Sequence, residues 1–116
     1  MEIDLKENFD ILENGSQYVL PKYKVVDGKG LEEVFPGQDL QFVRGSKLGT
    51  EEVEKREGTL HEHLLSVMIH DLTFKNGLVP SRETSVVITK LQEALMWLRE
   101  RQIDRLKRDV QGTYQK

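Results

Sequence analysis

The sequence contains no cysteine, which excludes a disulfide framework, a thiolate metal site and a cysteine nucleophile together and fits a cytosolic setting. No stretch approaches the roughly 20 apolar residues of a membrane span. The start, Met1, Glu2, Ile3, Asp4, has neither a basic leader nor an apolar run, so a soluble and unprocessed chain is expected. There is no glycine-flanked serine elbow. Gly45, Ser46, Lys47 and Gly49 lack the spacing of a phosphate loop, and no carboxylate pair stands out as an acid and base couple. These gaps are negative evidence only against an enzyme, and no cofactor is expected. The histidines His61, His63 and His70 have no third ligand in view, and Leu65 stands where a metalloprotease pattern starting at His61 needs its second histidine, so no metal site is expected.

What is present is modest core material and abundant charge. At 116 residues the chain suits one folding unit. Its 37% hydrophobic and 32% charged residues leave burial to be completed by self-association. The net charge of -3 conceals an asymmetry. Residues 82 to 108 carry seven bases against four acids, a local charge of +3, which leaves -6 for the remainder. An anionic ligand would therefore favour the C-terminal segment, whereas a binder of nucleic-acid polymers would usually be basic throughout.

Along the chain, Met1 to Asn14 shows no persistent period and ends in the turn signal Asn14, Gly15, Ser16. Short β-type runs follow at Gln17 to Leu20, Tyr23 to Val26 and Leu40 to Val43. Pro21, the Asp27 to Gly30 turn, and Pro36 with Gly37 separate them, which predicts a small antiparallel sheet. Arg44 to Gly58, charged and glycine-bearing, reads as a solvated loop or short helix. Thr59 and Glu62 have capping-box spacing, so a helix is expected from Leu60 to about Phe74, with Leu60, Leu64, Val67, Met68 and Leu72 as its stripe, widened by Leu65 and Ile69. Asn76 and Gly77 should end it in the left-handed conformation, and Pro80 should prevent its resumption. Ser81 is a suitable N-cap for a second helix, with Val87, Leu91, Ala94, Leu95 and Leu98 facing the first. The expected architecture is α+β: a β-rich part over residues 1–58, then a two-helix hairpin over residues 59–116, in an oligomer.

Arg101, Arg105 and Arg108 lie four and three residues apart and share a helix face. Their guanidinium groups match phosphate oxygens in pairs, yet the same spacing describes an ordinary solvated face tempered by Glu100 and Asp104. Phe74, near the hairpin turn, could stack a nucleobase or simply cap the core.

The run Pro80 to Leu98, PSRETSVVITKLQEALMWL, followed by Arg101, Arg105, Arg108, Val110, Gly112, Thr113 and Tyr114, resembles the phage anti-Thoeris sponge family, which shares a hairpin domain with the phage anti-CBASS cyclic-nucleotide sponge. The resemblance covers about the last 58 residues. It implies a binder that sequesters a cyclic ADP-ribose isomer without cleaving it, in the cytoplasm of the infected host, with a sponge for CBASS cyclic di- or trinucleotides as the alternative. It also implies a site between subunits of a dimer or hexamer, with Phe74 on the base, Arg101 and Arg105 on phosphates or ribose, Arg82 and Thr84 from the turn, and Arg108 beside them. Thr84 stands where the family often has asparagine, and Asp109 where a glycine is common. From the first half, Arg44 and Lys47 are candidates because they are basic and near a strand end. A hydrolase of the same signal and a structural or assembly protein are the rival functions.

Overall fold

The structure is a computed structural model that describes the backbone of residues 8–114 and the side chains of residues 8–108. The chain divides into two compact units, Met1–Thr59 and Leu60–Lys116. An N-terminal antiparallel sheet is followed by two helices, as the α+β expectation required.

The first unit is built on strands β1 (Asp10–Glu13), β2 (Gln17–Val26) and β3 (Gly30–Gln41), in the order β1-β2-β3. β1 lies in the segment whose sequence shows no period. Its four residues pair only with the start of β2, across the Asn14 to Ser16 turn in which Gly15 takes φ 77°. The two short runs on either side of Pro21 are one strand. Pro21 cannot donate to a ladder, and the β2-β3 register shifts between Leu20 and Lys22 to accommodate it. Pro36 and Gly37 likewise fall inside β3. A Cβ on Gly37 would lie 2.6 Å from the Leu20 carbonyl oxygen, so glycine here permits close strand approach instead of ending the strand.

On one face of the sheet Phe9, Tyr18, Leu20, Leu40 and Phe42 line a cleft of about 310 Å³. Tyr18 meets Phe9 and Phe42 edge to face, with ring centroids 5.9 and 6.0 Å apart, the favoured geometry for aromatic pairs.

The segment from Arg44 to Gly58 holds no helix. It closes on itself through β4 (Lys47–Leu48) and β5 (Glu51–Glu52), and the backbones of Arg44 and Arg56 exchange hydrogen bonds of 3.0 and 2.9 Å.

The second unit is a helical hairpin of α1 (His61–Leu78) and α2 (Arg82–Tyr114). Thr59 does not cap α1. Its N–H donates to the Gln41 carbonyl at 2.9 Å and its carbonyl accepts from Val43 at 3.0 Å, so the backbone that a capping box requires is engaged in a bridge, and Leu60 takes the N-cap position. At the other end α1 runs past Phe74 through Asn76 and Gly77, neither of which is left-handed. Asn76 acts with its side chain instead: Oδ1 accepts from the Ser81 N–H at 2.9 Å and Nδ2 donates to Ser85 Oγ at 3.1 Å, clipping the two helices together. Pro80 then blocks continuation. Ser81 caps α2 as expected, accepting from the Thr84 N–H at 3.0 Å while its hydroxyl donates to Thr84 Oγ1 at 2.7 Å.

Leu64, Leu65, Ile69 and Leu72 of α1 are partly covered, as are Ile88, Leu91 and Leu98 of α2, and Leu95 is the most buried hydrophobic residue at 7% exposure. The expected stripes are therefore rotated. Ile88 is covered while Val87 and Ala94 are exposed, because residues 88, 91, 95 and 98 keep the three-four spacing of a helix seam. On α1 the supposed widening residues Leu65 and Ile69 belong to the covered set, and Val67 and Met68 face outward.

Candidate functional site

The tip of the hairpin presents Phe74, Arg82 and Thr84. Phe74 is 54% exposed on the last full turn of α1, so it is not a core residue of the chain. Thr84 is half-buried, held by Ser81, and Arg82 is exposed in the first turn of α2. Asn76, the residue that organises this tip, is not among the expected site residues. The available signal was an amide five residues before a serine N-cap and nine before Ser85, a spacing that lets one side chain answer both helices.

Arg101, Arg105 and Arg108 project from α2 as predicted and are exposed. At about 100° per residue they fall within a 60° arc. Among the described residues none of the three side chains forms an ion pair or hydrogen bond, so Glu100 and Asp104 do not occupy them. Near the start of this row His61, Leu64, Leu65, Leu98 and Arg101 line a cleft of about 370 Å³, apolar at its floor and basic at its rim. His61 lines this cleft because the antiparallel helices set the first turn of α1 opposite Leu98.

The two groups are far apart within one chain. Asn76 touches Ser85, which places Phe74 level with the opening turns of α2. From Ser85 to Arg101, at about 1.5 Å per residue, is about 24 Å. A compact nucleotide held by Phe74 cannot reach the arginine row of the same hairpin.

Arg44 and Lys47 belong to the first unit and differ sharply in setting. Lys47 is exposed on β4. Arg44 is 9% exposed and its donors are committed within the fold: Nε and Nη2 to the Glu54 carbonyl at 3.2 and 2.8 Å, and Nη1 to the Asn14 carbonyl at 3.0 Å and the Glu13 carboxylate at 3.2 Å. Arg56 grips the same carboxylate in fork geometry, both contacts at 2.9 Å. Hydrogen bonding from Arg56, aided by the charge of Arg44, holds the Glu13 carboxyl below its ordinary range against the opposing effect of burial. Arg44 thus fastens the 44–56 segment to the first turn, a role that its charge and strand-end position did not reveal.

A family model for the Acb2/Tad1 hairpin domain matches residues 42–102. The match begins at Phe42, earlier than the hairpin, and stops at Gln102, so Phe74, Arg82, Thr84 and Arg101 lie inside it and Arg105 and Arg108 beyond it. The protein Thoeris anti-defense 1 of Bacillus phage SBSphiJ7 is 43% identical over 60 residues, which covers 51% of this chain and 42% of that relative. The aligned part is therefore less than half the relative's length. With more than half of its residues accounted for by one model, the chain belongs to the Acb2/Tad1 hairpin family.

Proposed function

We propose that the protein is a phage counter-defence factor that binds a cyclic nucleotide immune signal and retains it intact, acting in the cytoplasm of the infected bacterium. The proposed ligand is a cyclic ADP-ribose isomer of the kind that a Thoeris system would use. Family membership and the name of the phage relative support the counter-defence role. The geometric observation that favours retention is the division of the site. An exposed aromatic platform and an exposed arginine row lie about 24 Å apart on one hairpin, an arrangement that can close around a small dianion only when the tip of one copy meets the arginine row of another. Phe74 would stack on the base, Thr84 and Arg82 would flank it, and Arg101 and Arg105 would neutralise phosphates, with Arg108 beside them. Enclosure between copies slows release without any bond being broken. Of the two first-unit candidates, Lys47 is exposed on its own strand. Arg44 is better placed as support for the segment that carries it.

The deciding experiment incubates the purified protein with a panel of cyclic ADP-ribose isomers and cyclic di- and trinucleotides, removes unbound ligand, denatures the protein and separates what is released by chromatography. Recovery of an intact cyclic ADP-ribose isomer supports the proposal. Recovery of only cyclic oligonucleotides moves the function to a CBASS sponge, cleaved product makes the protein a hydrolase, and no retained ligand leaves an assembly role.

A further inference from the structure

The sequence holds a single tryptophan, Trp97, and it is 67% exposed. It stands four residues before Arg101 in α2. At about 100° per residue, Trp97 falls with Arg101, Arg105 and Arg108 within an 80° arc, while Glu93, Glu100 and Asp104 fall outside it. The hairpin seam at residues 88, 91, 95 and 98 is centred about 140° away from Trp97, so α1 does not cover the indole. Its neighbours one turn before leave the ring open as well: Ala94 carries only a methyl group, and Glu93 is drawn to Lys90 at 3.9 Å.

The surroundings of the ring indicate what covers it. Along the helix axis Arg101 is about 6 Å from Trp97 and Arg105 about 12 Å, which is the reach from a nucleobase across its ribose to its own phosphates. A flat apolar ring at the head of a row of guanidinium groups is complementary to a molecule with a planar base at one end and anionic oxygens at the other. A second copy of the same face would instead bring arginine against arginine. Phe74 presents one ring face at the hairpin tip, and a base has two faces to cover. When the tip of one copy meets the arginine row of another, Trp97 is the aromatic side chain that already stands on the row's side of the ligand.

We infer that Trp97 is the second wall of the base pocket, so that a purine is held between Phe74 of one copy and Trp97 of another while Arg101 and Arg105 hold its phosphates. The inference rests on the proposed ligand reading and deepens it: the paired rings select a base-bearing ligand over a bare polyphosphate, which the arginine row alone would also attract.

Because all indole emission comes from Trp97, fluorescence titration of the full, unaltered chain with each cyclic ADP-ribose isomer reads the contact directly. Emission should be quenched saturably, with a midpoint equal to the affinity from isothermal titration. Inorganic pyrophosphate, which has the charge and no base, should leave it unaltered. Trp97→Leu keeps apolar bulk and helix propensity without a ring, so affinity should fall between about fivefold and about 150-fold while ligand-free mass by ultracentrifugation and helix content by circular dichroism stay the same. Trp97→Tyr should retain most of the affinity. The double variant Phe74→Ala/Trp97→Leu should lose less than the product of the two single losses, since opening either side admits water to the same base. Quenching by pyrophosphate alone, unaltered affinity in Trp97→Leu, a fall in its ligand-free mass, or single losses that simply multiply would each overturn the inference. An isomer retained with emission unaltered would remove only the Trp97 wall and leave the ligand reading standing, whereas no retention of any isomer would remove both.

Discussion

Replacing Phe74 with alanine distinguishes a ligand platform from a packing residue because the two roles predict opposite patterns of loss. Truncating a buried phenylalanine typically costs about 3 to 5 kcal/mol, through lost transfer energy and the cavity left behind. Phe74 is 54% exposed in the single chain, and its removal leaves the covered residues Leu64, Leu65, Ile69, Leu72, Ile88, Leu91, Leu95 and Leu98 in place. The expected loss of stability is therefore below about 1 kcal/mol, of the size usual for a change away from the core. Stacking of a base on an aromatic ring contributes about 1 to 3 kcal/mol, so affinity should fall between about fivefold and about 150-fold. Phe74→Trp should retain most of it, since a larger ring still offers a face. Isothermal titration with the cyclic nucleotide retained in the release experiment gives the affinity, and thermal denaturation without ligand gives the stability. Unchanged affinity, or a large fall in ligand-free melting temperature, would refute the platform role.

Arg105→Ala should abolish ligand retention while leaving the oligomer mass unaltered, as measured by equilibrium dialysis and light scattering on the same sample; unaltered affinity would remove Arg105 from the pocket. Ser81→Ala deletes the acceptor of the Thr84 N–H and should cost about 1 kcal/mol, visible in chemical denaturation of the helical unit. Glu13→Gln should destabilise the first unit at neutral pH. Because its folded-state carboxyl titrates below the ordinary range, the stability that Glu13 contributes is complete above that range and lost as the pH falls through the folded value. The gap between variant and parent should therefore close on acidification, and a gap independent of pH would count against the ion-pair account.

Elements governed by local chemistry were the easiest to read. The Asn14 and Asp27 turns, the cap at Ser81 and the continuity of α2 follow from residues that act on their own neighbours. The errors arose where distant backbone took part. Pro21 and Pro36 look like strand breakers until a bulge and a second strand absorb them, and Thr59 carries a capping signal that Gln41 and Val43 override. Asn76 was misread for a related reason, since its effect comes from an amide reaching Ser81 and Ser85 and not from its own φ. At the site, the shared face of Arg101, Arg105 and Arg108 was visible in their spacing. The burial of Arg44 was not, because nothing local marks Glu13 as its partner.

The distance between the hairpin tip and the arginine row has a consequence for dosage. On the proposed function, a site whose halves lie about 24 Å apart on one chain holds a small ligand only as an assembly, so ligand occupancy and assembly would be linked equilibria in which each raises the apparent affinity of the other. Early in an infection, when few copies exist, capture would rise more steeply than in proportion to protein. Once signal is present it would recruit its own trap.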